Sequence, residues 1–251
     1  MDKDYELKHH KLEEDNWWFK TRREITLDLL KKNKANKNSK ILDVGCAGGH
    51  LLNFLRKRGF QNLHGIDISK TAIKETKSKG IENTTIQNSL NTNFKENTFD
   101  FIIASDILEH IKEDSKAIQE YKRILNKGGK LIVFVPAFQF LWSEHDEICH
   151  HFRRYKRQEL KDLISKNFEI KRISFWNFTL FPIISLVKII YSLINKKSDQ
   201  LYKTNKFSNT ILYYLLKIEN QILKKINFPF GISLFCIAEK TTPNHQEGSS
   251  H

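Results

Sequence analysis

Lys40-Ile41-Leu42-Asp43-Val44-Gly45-Cys46-Ala47-Gly48-Gly49-His50 decides how this chain folds. It reads as a short buried strand that runs into a glycine turn and then a helix, His50-Leu51-Leu52-Asn53-Phe54-Leu55. Glycine carries no Cβ and tolerates positive φ, so such a turn lets a ligand approach the backbone closely. Asp43 sits on the strand two residues before the first glycine. That acid would repel a pyrophosphate, and Ala47 and His50 occupy the second and third glycine positions of a dinucleotide fingerprint. A ligand with a nucleoside at one end and a positive charge at the other fits better.

A second acid comes where that reading needs it. Leu63-His64-Gly65-Ile66-Asp67-Ile68-Ser69 is another short strand, and Asp67 closes it 24 residues after Asp43. In doubly wound sheets an acid at the end of the second strand accepts hydrogen bonds from a ribose diol. Hydrogen bonds to a charged acceptor are worth roughly 1.5–3 kcal/mol each. The plainer alternative is that Asp67 caps the helix starting near Lys70, a task for which Ser69 is equally suited.

Four segments carry a family resemblance. Asp43 to Gly49, Gly65-Ile66-Asp67-Ile68-Ser69, Phe99-Asp100-Phe101-Ile102-Ile103-Ala104-Ser105-Asp106-Ile107-Leu108-Glu109-His110 and Gly128-Gly129-Lys130-Leu131-Ile132-Val133-Phe134 stand in order. The chain over about residues 38–140 thereby resembles the class I S-adenosylmethionine-dependent methyltransferases. The donor of that family has a sulfonium, an ammonium and no phosphate. By the resemblance Asp43, Gly45, Cys46, Ala47 and Gly49 lie along the methionine part of the cofactor. Asp67 and Ile68 hold the ribose, and Ser105 and Ile107 lie beneath the sulfonium. Two departures stand out. Ala47 replaces a glycine, which is tolerable if its φ stays negative. In Asn88-Ser89-Leu90 the family's adenine-binding acid is replaced by Ser89, which accepts a hydrogen bond without charge, so weaker adenine anchoring is expected.

Composition fits one compact domain: 251 residues suffice for a substantial core without disulfides. Cys46, Cys149 and Cys236 are scattered with no metal-ligand spacing, so no metal site is expected and a reducing cytoplasm is. The start, Met1-Asp2-Lys3-Asp4-Tyr5, lacks the apolar stretch of a signal peptide. A net charge of +13 invites nucleic acid as partner. Only nine of the 42 basic residues are arginines, however, and lysines spread over every helix make a solvated surface more often than a phosphate groove.

Three regions outside the core are expected to choose the methyl acceptor. In the first, Asp15 or Asn16 caps a helix whose apolar pattern runs through Ile25, Leu27, Leu29 and Leu30. Trp17, Trp18 and Phe19 cannot all share one helical face. Trp-Trp-Phe-x-x-Arg-Arg resembles the N-terminal lid of a bacterial methyltransferase subgroup, which implies Trp18 and Arg22 near the cofactor, with Arg22 paired to the methionine carboxylate. The second region, Val135 to Tyr155, leaves the carboxyl edge of the sheet, where ligands bind in open α/β folds. Its spacing Asp146…His151-x-Arg153-Arg154-Tyr155 resembles a signature of the same subgroup. A general base typically contributes roughly 10²–10⁴-fold to such a transfer. His151 is the first choice for it and His110 the second. Arg153, Arg154 and Tyr155 suit an anionic acceptor, unless Asp146 and Arg154 are simply an ion pair pinning the loop. The third region, Phe175 to Ile194, is apolar and is followed by an amphipathic helix with Ile211, Leu215, Ile218, Ile222 and Ile226 at helical spacing. Eight lysines between Lys188 and Lys225 face only Asp199 and Glu219. That suits either anionic lipid or packing on the sheet or a second subunit.

The expected architecture is a doubly wound, mostly parallel seven-stranded α/β sheet. A helical lid covers residues 1–36 and the cofactor core 37–176. A helical insertion spans 177–228, the last strand 229–240 lies antiparallel at the sheet edge, and a disordered tail covers 241–251. The expected activity is methyl transfer from S-adenosylmethionine, yielding S-adenosylhomocysteine, to O or N of a small or lipid-linked acceptor. An RNA or protein methyltransferase and a non-catalytic cofactor-binding scaffold are the alternatives. A monomer or homodimer in the cytoplasm, or at the inner face of the membrane, goes with it.

Overall fold

The computed structural model describes residues 10–193 and 205–241. The expected tail beyond Thr241 and the middle of the helical insertion lie outside the described residues. Seven strands form one sheet: β1 (Ile41–Val44), β2 (Leu63–Asp67), β3 (Thr84–Ile86), β4 (Phe99–Ser105), β5 (Leu125–Pro136), β6 (Glu169–Trp176) and β7 (Ser233–Glu239). Their order is β3-β2-β1-β4-β5-β7-β6. β7 alone runs antiparallel, to β5 on one side and β6 on the other, while the remaining pairings are parallel.

Why the strands take these places follows from their side chains. β1 is buried at all four positions, as a strand covered on both faces must be. β7 is buried at every position but its last, so it cannot serve as an edge. The sequence-based expectation of a final strand at the sheet edge is therefore corrected: β7 inserts between β5 and β6. β6 takes the edge instead, because its first half presents Glu169, Lys171 and Arg172, charges that discourage further pairing.

Helices α1 (Trp17–Lys32), α2 (His50–Arg56), α3 (Lys70–Ser78), α4 (Asp114–Ile124), α5 (Glu144–Ile148), α6 (Arg157–Ser165), α7 (Phe181–Leu193) and α8 (Lys206–Leu223) accompany the sheet. A short helical segment over residues 10–15 precedes α1. Asn16 caps α1, its side chain accepting from Trp18 N, and Ser69 caps α3, accepting from Ala72 N. α8 ties α1 to the sheet. Asn209 Oδ1 accepts from Trp17 N at 2.9 Å, and Asn220 bridges Trp176 Nε1 (2.8 Å) to Thr21 O (3.1 Å). The buried Glu219 carboxylate accepts from Phe178 N, Thr179 N and Thr179 Oγ1 at 3.0, 2.9 and 2.7 Å, clamping the turn after β6. No helix among the described residues is long and apolar enough to cross a membrane. α7 and α8 nonetheless expose apolar stripes, Ile183, Leu186, Ile189 and Ile190 on one, Phe207, Ile211, Tyr214, Ile218 and Ile222 on the other.

Strand order reverses between β1 and β4, which places a crevice outside the carboxyl ends of the strands. Removing Glu219 would leave three donors without their acceptor. Glu219→Ala should cost about 2–4 kcal/mol in urea unfolding, each orphaned buried donor being worth ~1–3 kcal/mol, whereas Ile218→Ala, exposed on the same helix, should change stability by less than about 0.5 kcal/mol.

Candidate functional site

The turn after β1 is built by close approach. Gly45 and Gly49 sit at φ +71° and +73°, and a Cβ on Gly45 would lie 2.8 Å from Ile107 Cδ1. Ala47 takes φ +44°, which overturns the expectation of a negative φ there. The strain is held because Asp67 Oδ2 accepts from Ala47 N at 3.0 Å and Thr76 Oγ1 donates to Ala47 O at 2.9 Å. Asp67 Oδ1 accepts from Ser69 N at 2.9 Å, so Asp67 organises both the glycine turn and the entry to α3, while Ser69 is the helix cap itself.

A crevice of about 560 Å³ opens above these strand ends. Of the residues singled out from sequence, Gly45, Asp67, Ile68, Asn88, Ser89, Leu90, Ile107 and His110 line it. Cys46 and Gly49 are buried in the turn beside it. Ser105 donates its hydroxyl to Asp106 Oδ2 at 3.0 Å and is not among the lining residues. A second depression, near Asn33, Asp100 and Gly128, is lined by three lysines, Lys34, Lys127 and Lys130, and one acid, Asp100, and by none of the candidate site residues singled out from sequence.

Asp43 is not among the lining residues; it lies on β1 directly behind Val44 and Gly45, which are. It is 4% exposed, and among the described residues no side-chain cation or hydrogen-bond donor meets its carboxylate. Burial first, then the negative charges of Glu13 and Asp67, push its pKa well above the usual carboxylate range. Glu13 belongs to the helical segment over residues 10–15, and sequence reading missed it because nothing in its neighbourhood marks it. The segment is pinned by His10 Nδ1 to Glu75 Oε2 at 2.6 Å and by Arg23, which donates to Glu13 O and Glu14 O at 2.7 and 3.0 Å. Lys79 donates to both Glu75 and Gly48 O at 2.6 Å, joining this anchor to the glycine turn. Three carboxylates thus converge where a buried anion is costly. Such a site fits a ligand that brings positive charge.

Trp18 and Arg22, expected near the cofactor, are not among the residues lining the crevice. Trp18 stacks edge-on against Trp176 with centroids 4.9 Å apart. The Arg22 guanidinium lies 4.3 Å from the ring centroids of both Phe134 and Trp176, donates to Ser233 Oγ at 3.1 Å and pairs with Asp106 Oδ2 at 3.1 Å. Its partners within the protein are an aromatic sandwich, Ser233 and Asp106, a residue that sequence reading had not weighed.

The loop after β5 folds around Asp146, which is fully buried. Arg154 grips both its oxygens, Nε to Oδ1 at 2.9 Å and Nη2 to Oδ2 at 2.8 Å. Ser143 donates from N and Oγ at 2.7 and 2.8 Å, and His151 Nδ1 lies 2.8 Å from Oδ1. Burial opposes ionisation of Asp146, but His151, Arg154 and Ser143 outweigh it and hold its pKa well below the ordinary value. The ion-pair alternative for Asp146 and Arg154 describes this geometry. Tyr155 is buried, donates to Asp114 Oδ2 at 2.9 Å, and burial with the Asp114 charge drives its pKa strongly up. Arg153 pairs with Asp114 at 2.9 Å. His151 does not itself line the crevice, but its ring stands edge-on to His110, which does, with centroids 4.4 Å apart. Glu109, beside His110, is 1% exposed. Burial and then the Asp106 charge raise its pKa well above the usual range. Sequence reading passed over Glu109, although its place at the end of β4 was the available signal.

Comparison with known proteins follows the same lines. A sequence family described as a methyltransferase domain matches residues 42–133. An uncharacterized protein of Methanocaldococcus jannaschii is 35% identical, over 72% of this chain and 80% of its own length. A ubiquinone biosynthesis O-methyltransferase of Hahella chejuensis is 27% identical over 46% of this chain. The match spans 54% of that relative, about half its length. Among solved structures, phosphoethanolamine N-methyltransferase 2 of Haemonchus contortus in complex with S-adenosyl-L-methionine is 20% identical. It has a TM-score of 0.56 over 86% of this chain and 52% of that one, a likeness of fold.

The acidic floor generates a pH-dependent prediction. Because the folded-state pKa of Asp43 is raised, the folded protein retains a proton that the unfolded chain releases above about pH 4. Folding stability therefore falls as pH rises through that value. Asp43→Asn should raise the melting temperature of the ligand-free protein at pH 7, with the two proteins converging below about pH 4. Melting curves across pH check this, and an Asn variant that melts lower at neutral pH contradicts it.

Proposed function

Because the chain belongs to the class I S-adenosylmethionine-dependent methyltransferases, we propose that it methylates O or N of a small or lipid-linked acceptor that enters beside His110 and His151. The observation that carries the cofactor end is the convergence of Asp43, Glu13 and Asp67 beside the crevice, with no cation at Asp43 among the described residues. The donor, when bound, supplies a methyl group on a positively charged sulfur, activated for in-line displacement.

Each residue then has a physical task. Asp43 receives the cationic end, and its burial removes competing water. Asp67, already fixed by Ala47 N and Ser69 N, has lone pairs left for a ribose diol. Ile107 packs against the turn at Gly45, and Ser89 and Leu90 form the adenine end. At the other end of the crevice stand His110 and the His151 ring, whose tautomer Asp146 sets through Nδ1. The acceptor loses its proton at this pair. The two subgroup signatures sit in different places. Trp17, Trp18, Arg22 and Arg23 fasten α1, whereas Asp146, His151, Arg153, Arg154 and Tyr155 build the acceptor loop.

A lipid-linked acceptor is favoured by what adjoins that loop. Phe181 of α7 packs on Phe138 and Phe140 with centroids 5.5 and 6.2 Å apart, and Lys188 Nζ donates to Trp142 O at 2.9 Å. The exposed apolar stripe of α7 thereby continues from the acceptor mouth, where it suits an acyl or prenyl chain or an anionic membrane surface.

Calorimetry with S-adenosylhomocysteine should give one site per chain. Asp43→Asn should weaken it about 10–100-fold, the loss of one charge-assisted hydrogen bond of ~1.5–3 kcal/mol. With labelled donor and a lipid extract as acceptor source, His151→Ala should lower turnover by about 10²–10⁴-fold with cofactor affinity intact. Binding without turnover across lipid and small-molecule acceptors would leave a scaffold, not an enzyme. Failure to float with anionic liposomes removes the lipid-surface arm.

A further inference from the structure

The acceptor end holds a buried acid, Glu109, to which the methyl-transfer reading gives no task, beside the two histidines to which it does. A carboxylate oxygen of Glu109 and one ring nitrogen each of His110 and His151 lie within 4.8 Å of one another. Glu109 Oε2 is buried and makes no hydrogen bond. A polar atom shut away from water without a partner is costly and rare in native proteins. We propose that Glu109, His110 and His151 bind a divalent first-row transition-metal cation, such as Zn²⁺, at the acceptor end of the crevice.

Four features argue for a cation here. The donor set of two imidazoles and one carboxylate is of the kind that takes such ions and leaves coordination positions open. His151 is oriented as metal-bound histidines are: Nδ1 faces the Asp146 carboxylate at 2.8 Å, which leaves Nε2 to coordinate. Asp146 is itself immobilised by Arg154 and Ser143, so the ring is held before a metal arrives. Arg154 grips Asp146 and Arg22 pairs with Asp106, and although the charge of both reaches Glu109, neither donates a hydrogen bond to its Oε2.

This inference rests on the methyl-transfer reading for its purpose. His110 both belongs to the cluster and lines the crevice, so a cation held there reaches an acceptor hydroxyl bound alongside. Coordination would lower the pKa of that hydroxyl. Its O–H bond would break with the proton passing to water, the oxygen's electron pair would form the bond to the methyl carbon, and the carbon–sulfur bond would break with its pair left on sulfur, releasing S-adenosylhomocysteine. The two histidines would then act by holding the cation, with Asp146 as the positioning residue behind them.

Zn²⁺ titrated calorimetrically into the chelator-treated full-length chain should bind once per chain. Glu109→Gln should weaken that binding by at least about 30-fold, and Asp146→Asn by about 10–100-fold, the usual effect of losing such a supporting carboxylate. Since Asp146→Asn can loosen the loop, a measurement on the unaltered protein accompanies it. In histidine-ring NMR, Zn²⁺ should shift the signals assigned to His110 and His151 ahead of those from other histidines. Absence of one-to-one binding, equal binding by Glu109→Gln, or shifts confined to other histidines overturns the proposal. S-Adenosylhomocysteine binding is measured on the same samples. Its loss in the unaltered protein counts against the methyl-transfer reading, whereas its retention without Zn²⁺ binding counts against the metal site alone.

Discussion

A carboxylate at the buried end of a central strand is the constraint around which this molecule is arranged. Asp43 is placed by β1, which is buried on both faces, so its side chain cannot retreat to water. The nearby charges, Glu13 and Asp67, make ionisation harder still. A fold does not retain a buried, unpaired carboxyl group for stability, because neutral replacements of like shape would serve better. The arrangement makes physical sense as one half of an ion pair whose other half arrives with the cofactor. Stability is given up in the ligand-free state and recovered on binding.

The acceptor end solves the opposite problem. There the buried acid, Asp146, is fully compensated by a bidentate arginine, a serine cap and a histidine. Its charge is retained and its surroundings are rigid. The consequence is precision: a histidine held on a fixed carboxylate presents its second nitrogen in one direction. Beside the crevice one buried acid, Asp43, is thus uncompensated and another, Asp146, is spent on geometry, and the proposed function assigns binding to the first and chemistry to the neighbourhood of the second.

The N-terminal helices connect the two. Arg22, between Phe134 and Trp176, locks α1 onto the last strands, while His10 and Glu75 hold the preceding segment over the glycine turn. α8 braces this assembly through Asn209, Asn220 and Glu219. The N-terminal helices are therefore fastened by polar contacts from sequence positions nearly 200 residues away. Local sequence could not have displayed such contacts.

The glycine turn, the two strand-end acids and the alternating βα pattern were legible because they are local. Buried parallel strands must be continuously apolar, and a tight turn needs glycine, so Ile41 to Gly49 and Leu63 to Asp67 declare themselves. The doubly wound sheet and the place of the crevice follow from them. What only the tertiary structure decided depends on distant partners. Ala47 accepts a positive φ because Asp67 and Thr76 grip its peptide. Arg22 is taken by Asp106 and two aromatic rings. β7 lies inside the sheet because burial on both its faces demands it. Glu109, His110 and His151 meet because the loop after β5 folds back over β4, and no spacing rule joins neighbouring donors to one more than forty positions away. Short-range sterics and patterning are written along the chain, whereas the pairing of buried charge is settled only when the chain has closed on itself.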